Sequence, residues 1–214
     1  MNLPNKLTVA RICIIPLMMI FMLVPFGAPS ASGEIACRCI SAGLFLAAAI
    51  TDFLDGRIAR KYGLVTDFGK FLDPLADKML VLGALIGLTV LAARASGAGD
   101  EVYFRLTATL SFVVLFRELA VTSLRLAAQG AKGVVIAANI LGKIKTVTQI
   151  VFVMAALLEP VLMGPSLLGT VPFFAAFARY HIISYTVMAI TAIMTVWSGL
   201  NYFKAYFPLI NSNK

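Results

Sequence analysis

Thr51-Asp52-Phe53-Leu54-Asp55-Gly56-Arg57-Ile58-Ala59-Arg60-Lys61-Tyr62-Gly63-Leu64-Val65-Thr66-Asp67-Phe68-Gly69-Lys70-Phe71-Leu72-Asp73-Pro74-Leu75-Ala76-Asp77 joins two long apolar stretches and holds five of the chain's ten acidic residues. Asp52 and Asp55 stand three apart and Asp73 and Asp77 four apart, so each pair shares a helix face. Gly56 and Ala59 extend the first face, leaving room beside the backbone for a bulky ligand, and Gly69 extends the second. Tyr62-Gly63 supplies a turn between them. Pro74 fits either a helix capped at its start by Asp73 or one locally opened there. Four carboxylates beside a bilayer are very unfavourable without cations. An all-oxygen donor set, with neither Cys nor His, favours Mg²⁺ or Mn²⁺ over zinc. Two ions on bridging carboxylates suit a phosphate-bearing substrate, because they neutralise its oxygens and clamp both attacking and leaving groups. A carboxylate less committed to metal can take the proton of an attacking hydroxyl. Asp67 falls off both faces and reads as a solvated loop residue.

Outward from this run the chain is apolar. Of 214 residues, 60% are hydrophobic and 13% charged, and the mean hydropathy is +0.93. This defines an all-α polytopic membrane protein. Six candidate spans fall near 8–26, 36–54, 74–94, 104–128, 140–163 and 180–204, each close to the ~20 residues that cross ~30 Å of hydrocarbon. With the N-terminus inside, Lys6, Arg11, Arg57, Arg60, Lys61, Lys70, Lys78, Arg125, Lys132, Lys143, Lys145, Lys204 and Lys214 fall on the cytoplasmic face. Arg38, Arg94, Arg105 and Arg179 fall outside, so both termini are expected in the cytoplasm. The connections expected on the outer side, Gly27 to Ile35, Ala95 to Tyr103 and Glu159 to Phe177, are plain; the inner ones carry the unusual chemistry. No repeat or low-complexity linker divides residues 1–214, which read as a single domain. A cleaved leader is disfavoured because the first apolar stretch has the length of a full span. The basic residues sit in short loops rather than a basic domain, which excludes a nucleic-acid partner. Cys13, Cys37 and Cys39 lack metal-ligand spacing and read as packing or surface residues.

Asp52-x-x-Asp55-Gly56-x-x-Ala59-Arg60, followed after eight residues by Gly69-x-x-x-Asp73-x-x-x-Asp77, resembles the CDP-alcohol phosphotransferase signature at every fixed position. Asn2 to Arg11, Phe116-Arg-Glu-Leu-Ala120 and Leu141-Gly-Lys-Ile-Lys-Thr146 are similar to the bacterial branch that uses sn-glycerol 3-phosphate. The resemblance implies a six-helix enzyme of the bacterial inner membrane, usually a homodimer, with its active site on the cytoplasmic side. It implies transfer of the phosphatidyl group of CDP-diacylglycerol to sn-glycerol 3-phosphate, with release of CMP. It further implies that Asp52 and Asp73 bridge two Mg²⁺ or Mn²⁺ ions, that Asp55 ligates one, and that Asp77 ligates the other and acts as general base. Gly56, Ala59, Arg60 and Thr66 match positions around the cytidine diphosphate, and Asn5 and Thr8 are expected to close over the nucleotide.

A carboxylate cluster at the inner interface also solves a placement problem, since the donor's acyl tails must stay in lipid while its pyrophosphate meets cytosolic metal. Arg117, costly inside a span unless it faces a polar cavity, is expected with Arg125, Lys143 and Lys145 to bind the acceptor's phosphate. The competing reading of Arg117 is an ion pair with Glu118. Gly83-x-x-x-Gly87, and Gly43 with Ala47, permit close helix approach, either within the bundle or in a dimer. Trp197, Tyr202, Phe203 and Lys204 read as interfacial anchors. Other acceptors, namely serine, inositol phosphate or phosphatidylglycerol, use the same chemistry. A divalent-cation transporter is the reading from another class, and the outer halves of the spans carry no acidic path for it.

Overall fold

The computed structural model describes residues 2–24, 31–62, 66–95, 98–132, 140–164 and 167–210. Within them the chain is all helical: α1 Leu3–Leu23, α2 Ala31–Tyr62, α3 Asp67–Arg94, α4 Ala98–Lys132, α5 Ile140–Leu162, α6 Pro172–Tyr180 and α7 Ile182–Ile210. Gly63, the end of the first expected span beyond Val24, and parts of the expected connections lie outside the described residues, as do the side chains of Ala59 and Arg60.

Local chemistry sets the boundaries. Asn2 in extended conformation and Pro4 in the first turn open α1. Thr66 caps α3, its hydroxyl accepting from the Gly69 amide at 3.0 Å. The helix therefore starts at Asp67 and runs on through Pro74, and Asp73 is an interior residue rather than a cap. Pro160 lies in the last turn of α5, where the helix is about to end. His181 takes the left-handed conformation, φ 49°, and divides the short α6 from α7.

Among the described residues, five helices are long and apolar enough to cross a membrane: the segments Pro4–Leu23, Ser32–Ile58, Phe71–Arg94, Ile140–Leu162 and Ile182–Tyr206. That is the make-up of a multi-pass membrane protein. α4, 35 residues and about 52 Å long, carries Arg117, Glu118 and Arg125 in its second half.

Neighbour contacts close a ring in the order α1, α2, α5, α7, α4, α3 and back to α1, with α3 also meeting α2 and α5 across it. Successive long helices alternate in direction. One end therefore gathers the starts of α1, α3 and α5 with the finishes of α2, α4 and α7. The other end is held by the Arg94 guanidinium on the Leu23 carbonyl and by Glu159 of α5, which accepts from the Ile183 and Ser184 amides at 2.8 Å and so caps α7. Between the ends lies a charge-free slab: residues 12–23, 39–51, 79–93, 106–116, 146–158 and 182–203 contain no Asp, Glu, Lys or Arg.

Inside the slab Ile15, Met18, Phe45, Leu85, Val114, Phe152 and Leu157 are buried among small residues such as Ala42, Ala48, Ala84 and Ala156. Small residues matter here because lipid offers little hydrophobic drive between helices, so close packing and polar contacts must hold them. Thr89 and Ser111 meet at 3.1 Å between α3 and α4, and the Thr191 hydroxyl donates to the Thr148 carbonyl at 3.0 Å between α7 and α5.

The Gly83-x-x-x-Gly87 pair serves this internal packing. A Cβ on Gly87 would stand 2.7 Å from Met22 Sδ and 3.2 Å from Met22 Cβ, and one on Gly83 3.2 Å from Met19 Sδ. Gly43 instead faces outward, where a Cβ meets nothing within 4 Å. Gly87→Ala is expected to cost about 1–3 kcal/mol by forcing α1 from α3, read as a lower thermal midpoint in detergent. Combined with Met22→Ala it should cost less than the two changes summed; strict additivity would refute the contact.

Candidate active site

The charged end is organised by one face of α1. Asn5, Thr8 and Arg11, spaced by three, are all buried, and Arg11 is 0% exposed. Arg11 ion-pairs with Asp52 through Nη1 at 2.6 Å, and its Nη2 donates to Asp55. Thr8 Oγ1 lies 2.8 Å from Asp73 Oδ1 and 3.4 Å from Asp55 Oδ2; its single hydrogen goes to the nearer oxygen. The Asn5 amide meets the Thr66 hydroxyl at 2.9 Å. Gly69 permits that junction, since a Cβ there would sit 3.0 Å from Asn5 Oδ1 and 3.3 Å from Thr66 Oγ1.

The four signature aspartates thus come to one end of the bundle. Asp52 and Asp55 share Arg11, and Asp55 and Asp73 share Thr8. Asp77, one turn beyond Asp73, lies within electrostatic reach of Asp52 and Arg11. Among the described residues no three acidic, imidazole or thiol side chains are drawn tightly enough to hold an ion as they stand. Arg11 stands between Asp52 and Asp55 and contacts both. The donor set nevertheless fits hard divalent ions: it is all oxygen, and a buried cation already stands between two of its members. Asp52 keeps 43% of its side chain exposed, so part of the cluster opens outward.

Asp77 also lines a cleft with Lys78, Glu118, Lys145, Thr146 and Gln149. The Lys145 ammonium donates to Glu118, and Lys78 Nζ donates to Thr122 Oγ1 at 2.6 Å. Arg117 pairs with Glu118 at 3.3 Å and donates to Ser198 on α7. Its stem lies close against Gly199, where a Cβ would meet Arg117 Cγ at 3.1 Å. Arg125 donates to the Tyr202 hydroxyl at 2.7 Å, and both guanidiniums lie over the Tyr202 ring, Arg125 at 4.9 Å and Arg117 at 5.6 Å from its centroid. Of the four expected acceptor-binding cations, Arg117 and Arg125 are therefore joined through Tyr202, Lys145 faces Asp77 across the cleft, and Lys143 is exposed. Gly56 is half-buried on the acidic face.

Tyr202 corrects the interfacial-anchor reading: it is 2% exposed, while Trp197 is 60% and Phe203 48% exposed. Arg11 reads from sequence as an orientation charge; the signal for its role was the Asn5, Thr8, Arg11 spacing, which puts all three on one helix face. Glu118 and Gln149 had weaker signals, a lone acid and a lone amide inside apolar runs. His181 stacks on Tyr103, ring centroids 4.4 Å apart, and lies 3.3 Å from Asp100 at the opposite end, remote from the aspartates.

An apolar helical ring with a carboxylate cluster at one end, beside a cleft lined by two carboxylates and two ammoniums, fits a class, the membrane-embedded enzymes that handle phosphate-bearing substrates. A family model described as CDP-alcohol phosphatidyltransferase matches residues 1–197, and the chain belongs to that family. A CDP-diacylglycerol--glycerol-3-phosphate 3-phosphatidyltransferase of Bacillus subtilis is 50% identical over 163 residues, 74% of this chain and 77% of the relative. A probable phosphatidylglycerophosphate synthase of Mycobacterium tuberculosis is 35% identical over 201 residues, 94% and 79% of the two chains. A CDP-diacylglycerol--glycerol-3-phosphate 3-phosphatidyltransferase of Rickettsia felis is 34% identical over 204 residues, 95% and 94%.

Proposed function

We propose that the chain transfers the phosphatidyl group of CDP-diacylglycerol to sn-glycerol 3-phosphate, giving phosphatidylglycerophosphate and CMP. The observation that carries this reading is the juxtaposition, through Asp77, of the aspartate cluster with a cleft lined by Lys78 and Lys145. The aspartates suit the metal ions that a pyrophosphate requires, and Lys78 and Lys145 offer donors to an anionic acceptor beside Glu118.

Asp52, Asp55, Asp73 and Asp77 would hold a pair of Mg²⁺ or Mn²⁺ ions, which would supply charge neutralisation at the phosphate oxygens. Asp77 takes the proton from the acceptor's attacking hydroxyl as that oxygen bonds to the phosphorus bearing diacylglycerol, and the bond to CMP breaks. Arg11 and Thr8 fix the carboxylates from behind. Asn5, Gly56, Ala59, Arg60 and Thr66 surround the cytidine diphosphate, and Thr8, expected there too, reaches it only through the carboxylates it holds. Arg117, Arg125, Lys143 and Lys145 balance the acceptor's phosphate.

The reading extends to topology. α4 is the sixth crossing, with its Arg117, Glu118 and Arg125 turned into the bundle's polar end. Both termini and the active site lie in the cytoplasm, with the chain in the bacterial inner membrane, as the Lys and Arg asymmetry supports. Residues 1–214 act as one domain. The outward Gly43 and exposed Ala47 support a homodimer.

Radiolabelled CDP-diacylglycerol offered to the purified protein with Mg²⁺ or Mn²⁺ and a panel of alcohols tests the function. Label should appear in phosphatidylglycerophosphate; a product formed from serine, inositol phosphate or phosphatidylglycerol instead overturns the acceptor. Tyr202→Phe, which removes Arg125's hydrogen-bond partner and keeps the ring, is expected to raise the KM for glycerol 3-phosphate about tenfold. The KM for CDP-diacylglycerol should not move. Equal changes in both constants would contradict a role at the acceptor.

A further inference from the structure

Gln149 sits on α5, one turn beyond Lys145, and is 1% exposed. It lines the cleft that holds Asp77 and Lys145, and its Nε2 has no hydrogen-bond partner in the protein. A buried amide donor without an acceptor is rare, and where one persists it commonly marks a place for a bound group. Lys145 spends one of its three N–H donors on Glu118 and Lys78 one on Thr122. Both ammoniums can therefore still meet a phosphate, and the Gln149 amide adds an uncharged donor to the same cleft.

Resting on the reading that Asp77 meets the attacking hydroxyl in this cleft, we propose that Gln149 selects the acceptor by donating through Nε2 to its second, unreactive hydroxyl. In sn-glycerol 3-phosphate that group is on C2, one carbon from the attacking oxygen and one from the carbon bearing phosphate. Gln149 shares its cleft with the proton acceptor, Asp77, and with Lys145, one of the cations that meet the phosphate. A site built to hydrogen-bond a substrate hydroxyl discriminates strongly against the analogue lacking it, because the buried donor is then left unpaired. Gln149 thus makes the pocket specific for a vicinal diol phosphate over a simple hydroxyalkyl phosphate.

The test compares sn-glycerol 3-phosphate with 3-hydroxypropyl phosphate, which lacks only the C2 hydroxyl, in the full-length wild type, Gln149→Met and Gln149→Glu. Wild type is expected to prefer glycerol 3-phosphate by about 100-fold in kcat/KM. Both variants should bring glycerol 3-phosphate down toward the analogue, leaving a preference of less than about fivefold, with the KM for CDP-diacylglycerol unchanged as the sign of an intact fold. Wild-type discrimination retained by both variants overturns the proposal, as does a parallel loss on both acceptors. A wild type that turns over neither acceptor, while using another alcohol, overturns the acceptor reading and this inference with it.

Discussion

Asp77→Asn is expected to lower turnover by about a thousandfold or more while nucleotide binding stays within a few-fold of wild type. Removing a general base typically costs 10²–10⁴, and the amide also weakens a carboxylate site for divalent ions. The substitution is nearly isosteric, so the packing of α3 against α4 and α5 around Lys78, Glu118 and Lys145 should survive. CMP release from CDP-diacylglycerol and glycerol 3-phosphate reads the first quantity, and calorimetric titration with a CDP ligand reads the second. Near-normal turnover by the purified variant would remove Asp77 from the proton-accepting role. Loss of nucleotide binding in step with turnover would make it a ligand-holding residue only.

The second large effect is expected at Arg11. Its guanidinium is fully buried and contacts both Asp52 and Asp55, and Asp55 is only 4% exposed. In metal-free protein, Arg11→Met leaves Asp55 buried without a cation, a change that typically costs 3–5 kcal/mol. For a chain of this size that corresponds to a fall of about 10 °C in the thermal midpoint. Adding Asp55→Asn should restore part of the loss, because the uncompensated charge is gone. Arg11→Lys keeps the charge but cannot fork between two carboxylates, so it should fall between wild type and Arg11→Met. If Arg11→Met melts with wild type, the ion pairs are not holding the cluster. If the double variant is no better than the single one, packing rather than charge is the cause.

Much of the bundle could be read from the chain, because long apolar runs leave little choice but helices. The expected span 36–54 lies within α2, and 140–163 coincides with α5 but for its last residue. What sequence could not decide were features set by partners distant along the chain. Pro74 left two geometries open, and the Thr66 cap, braced by Asn5 sixty-one residues earlier, selects the continuous helix. The aspartate spacing was legible because i, i+3 and i, i+4 positions share a face whatever surrounds them. Arg11 was not, since a basic residue at the start of a span has an ordinary reading as an orientation signal. Tyr202 was masked in the same way: a tyrosine near the end of a span reads as a headgroup anchor until two arginines from α4 are found against it. The glycines of α3 announced a close approach, but only the fold names α1 and its methionines as the neighbour.

The uncharged middle of the bundle has a consequence for energy coupling. Every ionisable group near the aspartates is on one side of that layer, and Glu159, His181 and Asp100 are on the other, with no relay between them among the described residues. On the proposed mechanism, the hydrogen ion released in each cycle departs by the mouth through which the water-soluble reactant came in. No net charge crosses the bilayer, so the catalytic rate should be indifferent to membrane voltage.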